Sequence, residues 1–185
     1  MLAPMRAVAL LRGINVGGKR KVPMAQLREL AEALGCTKIE TYIQSGNLLF
    51  DHEPPLDALA VELERALEQS FGFAVPVVVH EASFFAALTR TNPFPDAALE
   101  RAKLLHVGFA KRPVAPKTEP LLAARATQEK LAVRDGLLWI DFANGFAKTK
   151  LTPAVLDKLA GSPVTLRNWN TVVELTQRLG SFAGR

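Results

Sequence analysis

Ten residues, Arg12 to Lys21, hold four cations (Arg12, Lys19, Arg20 and Lys21), three glycines (Gly13, Gly17 and Gly18) and no acid. Glycines let backbone N–H groups approach a phosphate, cations neutralise it, and a helix starting behind the loop adds its positive dipole end. The candidate anion ligands here are Arg12, Asn15, Gly17, Gly18, Lys19 and Lys21. Read literally, Gly13 to Lys19 fits the G-x4-G-K of a nucleotide-hydrolysing phosphate loop. Chemistry argues against that match: Arg20 stands where Ser or Thr would ligate magnesium, and Pro23 sets the helix start well beyond Lys19. Binding of a phosphate-bearing ligand and a merely solvated basic loop both stay open.

Two further segments carry polar groups in suggestive order. Arg167-Asn168-Trp169-Asn170-Thr171 supplies a fork-shaped cation and two amides, donors suited to a phosphate or a base edge. The same residues have plain roles: Thr171 with Glu174 fits a capping box, either Asn can cap, and Trp169 can fill a core. Gln44-Ser45-Gly46-Asn47 is ordinary hairpin-turn chemistry, yet Gln44 and Asn47 also make a plausible ligand edge. Arg167, Asn168, Asn170, Gln44 and Asn47 join the candidate ligand set, and the first loop and the Arg167 to Thr171 turn are expected to lie close together.

Conventional catalytic groupings are thin, so enzymatic activity is left undecided. Ser45 lacks the glycine two residues ahead that a nucleophile elbow has. Cys36 follows Gly35 at a helix end, a setting for a structural thiol rather than a nucleophile. His80 and His106 sit in apolar strands, and Asp135 and Asp141 flank a hairpin rather than face each other. One cysteine and three dispersed histidines, His52, His80 and His106, form neither a disulfide framework nor a metal cluster, and no cofactor is called for. Apolar runs such as Phe73 to Val79 are too short to span a bilayer, and Met1 to Leu11 reaches Arg12 without a leader's cleavage signature. The expectation is a cytoplasmic protein with no membrane partner and an open oligomeric state.

The net charge of +5 is unevenly spread: residues 1–80 hold eight basic and nine acidic groups, and 81–185 hold fifteen and nine. Arg101 to Lys117 alone contains five cations and no acid. Such an excess suits an anionic partner, nucleic acid or nucleotide, without requiring one.

The elements that must position these groups follow from periodicity. Met5 to Leu11 is a compact apolar run, a strand buried on both faces. Met24 to Leu34 repeats apolar residues at three and four between Pro23 and Gly35, an amphipathic helix. Thr37 to Gln44 and Asn47 to Phe50 pair as a hairpin, Leu56 to Phe71 is a helix, and Val75 to Val79 a strand. The order βαββαβ recurs after a connecting helix at Ala82 to Leu88 and the Pro-rich stretch Asn92 to Pro95. Lys103 to Phe109, Glu119 to Ala126, Lys130 to Arg134, Leu137 to Phe142, Pro153 to Leu159 and Val164 to Leu166 are its elements, and Trp169 to Leu179 is a terminal helix. The expected domains are 1–80 and 96–185, joined by a helix and linker over 81–95. The plait is shared with an RNA-recognition module, but the candidate strand Asn47-Leu48-Leu49-Phe50 has one aromatic and no cation, so stacking of bases on the sheet is not expected.

Leu10 to Lys19, Lys21-Val22-Pro23-Met24, Thr41 to Asn47, Thr91-Asn92-Pro93-Phe94-Pro95 and Arg167 to Val172 together resemble the bacterial proteins of domain-of-unknown-function family 1697. The resemblance implies an α+β fold of two ferredoxin-like plaits with antiparallel sheets, plus a C-terminal helix. It implies no established activity, substrate or catalytic residue. Trp139-Ile140-Asp141-Phe142 falls where the family's aromatic-rich strand is expected, with Asp141 less apolar than the pattern. The functional readings are therefore binding of nucleic acid or a nucleotide through the Gly/Lys/Arg loop, a small-molecule enzyme using an interdomain cleft, or a protein-interaction scaffold.

Overall fold

The computed structural model describes residues 4–53 and 55–180, so the outermost limits of the expected domains, at 1–3 and 181–185, lie outside the described residues. Two compact units divide the chain: one takes it up to Ala87 and again from Leu175, and the other is Leu88–Glu174.

The first unit is built from β1 (Met5–Leu11), α1 (Met24–Ala33), β2 (Thr37–Tyr42), β3 (Asn47–His52), α2 (Leu56–Phe71), β4 (Val77–Glu81) and α3 (Ala82–Leu88). Its sheet has the order β2-β3-β1-β4 with antiparallel pairing throughout. Ala7 to Leu11 are wholly buried, which is why β1 reads as apolar without alternation. On the helix side, Ala7 and Ala9 lie opposite Phe50 and Leu48, and the two small residues leave room for those larger ones. Leu27 of α1 and Leu63 and Leu67 of α2 close the same core. Each helix thus buries the stripe that its three-four spacing marks out.

The second unit repeats the plait with α4 (Pro95–Glu100), β5 (Leu105–Ala110), α5 (Thr118–Ala123), β6 (Lys130–Arg134), β7 (Leu137–Asp141), α6 (Pro153–Ala160) and β8 (Val164–Asn168), followed by α7 (Trp169–Gly180). Its antiparallel sheet runs β6-β7-β5-β8. The fold is therefore α+β, two ferredoxin-like plaits and a C-terminal helix. Residues of α7 from Leu175 on group with the first unit.

Two local departures from the sequence reading have physical causes. The Pro-rich stretch turns into the short helix α4, because Pro95 presets the first helical φ, Asp96 complements the dipole, and Asn92 Oδ1 accepts from the Phe94 N–H at 2.8 Å. The strand expected at Val164 to Leu166 runs on through Arg167 and Asn168, which pair with Val107 and His106 of β5. Asp141 is buried in β7, and the Arg101 guanidinium meets it in a fork, Nε to Oδ1 at 3.1 Å and Nη2 to Oδ2 at 2.8 Å. That pairing keeps a carboxylate in an otherwise apolar strand.

Candidate functional site

Between Leu11 and Met24 the chain makes a miniature hairpin rather than a cradle. Asn15 N–H donates to the Arg20 carbonyl at 3.1 Å and Lys19 N–H to the Val16 carbonyl at 3.1 Å. Gly17 and Gly18 form the two-residue tip at φ 57° and 73°, the positive values that such tight hairpin turns need. Asn15 and Arg20, at φ 55° and 51°, bracket it. Residues 16–21 are all exposed.

The base of this finger is fixed by one amide. Asn15 Nδ2 donates to the Val22 carbonyl at 3.0 Å and to the Gln44 carbonyl at 2.8 Å, and Asn15 Oδ1 accepts from the Val22 N–H at 2.9 Å. The finger is thereby joined to the β2–β3 turn, so two of the three candidate segments share one end of the first sheet. Leu11 N–H donates to the Gly46 carbonyl at 2.8 Å, and a Cβ at position 46 would stand 2.7 Å from Leu11 Cβ and 2.9 Å from Ile14 Cδ1. Only glycine permits that approach at φ 83°. Asn47 is buried, its Nδ2 donating to the Tyr42 carbonyl at 3.0 Å and to Ser45 Oγ at 3.2 Å, which is turn chemistry. Gln44 keeps its side chain exposed.

The cations at this end divide into two groups. Arg20 folds back, its guanidinium 5.0 Å from the Phe73 ring centroid and donating to the Ala74 carbonyl. Arg12 is half-buried, and its backbone N–H donates to the Pro76 carbonyl at 3.0 Å. Lys19 and Lys21 are exposed, and neither forms an ion pair among the described residues. Helix α1 has Pro23 at its N-cap, so no side chain caps it, and with no acid in its first turn its positive end is left uncompensated locally.

Sequence reasoning missed two features of this end. Ile43, a β-branched residue, is held at φ 50° and is 48% exposed, beside a finger whose Val16 is 67% exposed. No local signal marks a strained isoleucine. Arg178 of α7 lies over the Tyr42 ring at 4.7 Å and donates to Glu40, a contact across 138 residues of chain.

In the second unit the third candidate segment is mostly occupied. Arg167 is buried on β8, donating through Nη1 to Thr165 Oγ1 at 2.8 Å and to the Leu166 carbonyl at 3.0 Å, and burial pushes its pKa down to about 10. Asn168 caps α7, accepting from the Thr171 N–H at 2.9 Å, so the cap is the asparagine rather than a Thr171–Glu174 box. Trp169 is buried with its ring 5.7 Å from Trp139. Asn170 alone of the three candidates is exposed. Just before β6, at the edge of the sheet opposite β8, Glu129, another residue the sequence did not single out, accepts from Thr127 N at 2.7 Å and Gln128 N at 3.0 Å. Burial alone would raise the Glu129 pKa, but these bonds and one from Thr149 bring it down to about 2.

Among the described residues no group of three or more His, Cys, Asp or Glu is placed to hold a metal ion, and no helix is long and apolar enough to cross a membrane.

Against known proteins, residues 5–139 match the family described as "Protein of unknown function (DUF1697)". Among solved structures, the chain is similar to the conserved bacterial protein SP0830 from Streptococcus pneumoniae, at a TM-score of 0.73 and 28% identity, over 96% of this chain and 99% of that one. No protein with a curated description matches it.

Proposed function

We propose that this chain, which belongs to the family of proteins of unknown function DUF1697, binds the phosphate backbone of a nucleic acid through the hairpin finger at residues 12–21. The observation that carries this reading is the exposure of Lys19 and Lys21 on a hydrogen-bonded finger that holds no acid. A protruding finger offers its cations to an extended polyanion more readily than to one enclosed nucleotide. Arg12, Gly17 and Gly18 lie along the same loop, Asn15 positions it, and Gln44 and Asn47 belong to the turn beneath. In the second unit, Arg167 and Asn168 are engaged within the fold, and Asn170 is the exposed member of that candidate set. The single cysteine, held as a buried thiol, fits a reducing cytoplasm.

The test is fluorescence anisotropy with labelled single-stranded and duplex oligonucleotides from low to moderate salt. Each phosphate neutralised on duplex DNA contributes about −0.9 to the slope of log K against log salt, so removing two contacts flattens it by about 1.8. Lys19→Ala/Lys21→Ala is expected to weaken binding and flatten the slope by that amount. Unchanged affinity and slope would remove the finger from this role. A scaffold reading draws on the exposed Val16 and Ile43 at the same end. It predicts salt-insensitive self-association or partner capture that Val16→Ser/Ile43→Ser abolishes.

A further inference from the structure

At the opposite end of the first sheet, where β1 begins and β4 ends, a cavity of about 600 Å³ opens to the surface. It lies the length of β1 away from the finger, about 20 Å at strand rise. The cavity falls within the size range of pockets that take small organic ligands.

Its walls are of two kinds. Leu56 at the start of α2, Val79 of β4 and Phe84 of α3 supply an apolar surface. The His80 ring lies flat on Phe84, with centroids 4.0 Å apart and planes 6° from parallel, which makes one side of the cavity a planar wall. Burial pushes the His80 pKa down to about 4, against an opposing influence from Asp57, so the imidazole is neutral near pH 7. The charged lining residues are both carboxylates, Asp57 and Glu81, each exposed, and among the described residues no Lys or Arg lines the cavity. Ser83 Oγ donates to Glu81 Oε2 at 3.2 Å and so steadies that carboxylate. Asp57 has no hydrogen bond or ion pair among the described residues.

Both acids sit where helices begin, Asp57 in the first turn of α2 and Glu81 immediately before α3, and a dipole role accounts for their residue type. It does not account for an apolar cavity between them. We propose that this cavity binds a small organic cation, an ammonium carried on an apolar or aromatic body, with the body against Leu56, Val79 and Phe84 and the charge held by Asp57 and Glu81. The arrangement is opposite in charge to the finger and disfavours phosphate-bearing ligands, so it is a second site, independent of the nucleic-acid reading. Hydrophobic contact supplies most of the affinity, and the carboxylates select the sign of the ligand.

The experiment is titration of the full chain at fixed ionic strength with 2-phenylethylammonium, its neutral counterpart 2-phenylethanol and the anion 3-phenylpropionate, followed by amide shifts in ¹H–¹⁵N spectra. The expected result is saturable shifts at Leu56, Val79, His80 and Phe84 for the ammonium, weaker binding of the alcohol and none of the carboxylate. Asp57→Asn/Glu81→Gln is expected to weaken the ammonium about fivefold or more, as two partly solvated charge contacts allow, without moving the affinity for the alcohol. Equal affinity for ammonium and alcohol in the wild type would overturn the proposal, as would shifts confined to other residues or no saturation by the ammonium at millimolar concentration. The ligand comparison needs no variant, and oligonucleotide binding measured on the same samples reports the finger separately.

Discussion

Asn15 Nδ2 and the Gln44 carbonyl are 2.8 Å apart, and this bond ties a twelve-residue loop to a hairpin turn 29 residues further along the chain. The other two bonds of the same amide, both to Val22, close the loop upon itself. The Asn15 side chain is thus spent on geometry: it is a positioning residue rather than a ligand, and its φ of 55° suits asparagine better than most residues.

Replacing Asn15 by Ala removes three hydrogen bonds worth about 1 kcal/mol each and leaves part of the Val22 backbone unsatisfied. The expected loss is about 2–3 kcal/mol against opening of the loop. Hydrogen exchange at the Val22 amide measures it directly, and protection unchanged from the wild type would contradict the role given to Asn15.

Arg167 and Asn170, three residues apart, are expected to separate stability from binding. Arg167 is buried, and Arg167→Ala abandons its bonds to Thr165 Oγ1 and the Leu166 carbonyl, at a cost of about 2–3 kcal/mol in urea denaturation. Asn170 is exposed, and Asn170→Ala should stay within about 0.5 kcal/mol. An Arg167→Ala protein as stable as the wild type would return Arg167 to the list of candidate ligands.

Cys36 is buried at 4% exposure, and burial pushes its thiol up to about 12. Thiolate is the reactive form, so a disulfide reagent at pH 8 should label Cys36 only as fast as the protein opens, and rapidly in denaturant. Immediate labelling of the folded chain would show that the thiol is accessible.

How much of this was legible depends on whether the cause was local. Strand β1, helix α2 and helix α7 announce themselves because every third or fourth residue, or every residue of a buried strand, must be apolar. Gly17-Gly18 carried the signal for the finger in its own pair of residues, although its ladder partners Asn15 and Arg20 did not. Helix α4 left little trace: it is six residues long and Leu99, on its surface, is 88% exposed, so no apolar stripe marks it. Strand β3 continues past Phe50 because Asp51 finds Arg6 and Lys38, and the imidazole of His52 lies 3.3 Å from the Leu34 carbonyl, partners 13 to 45 residues away. The pairing of Asp141 with Arg101 and the strain at Ile43 are likewise fixed by contacts that spacing along the chain does not encode. For the same reason, the spacing of Asp57 and Glu81 along the chain says nothing of their meeting, and only β4 and α2 set them around one cavity.

His80 should leave a distinct mark on the pH dependence of stability. Burial against Phe84 lowers its pKa from 6.5 to about 4, with the charge of Asp57 opposing. Above pH 6.5 the imidazole is neutral in folded and unfolded chains alike, and His80 contributes no slope. Between 6.5 and about 4 the unfolded chain takes up the proton and the folded chain does not, so stability falls as the pH is lowered, and the loss is complete once the folded pKa has been passed. At 1.36 kcal/mol per unit the full effect is about 3 kcal/mol. Other groups titrate nearby: His106 is also lowered by burial, and Glu129, held down to about 2, adds its own loss below its ordinary range near 4.5. The comparison that isolates His80 is therefore with His80→Phe, which keeps a flat ring against Phe84 and cannot take a proton. Urea denaturation of both proteins from pH 7.5 to 4 should show the wild type losing up to about 3 kcal/mol more than the variant below pH 6.5, because only the wild type carries the His80 titration. Parallel curves across that range would mean that the imidazole titrates as freely in the folded protein as in the unfolded chain.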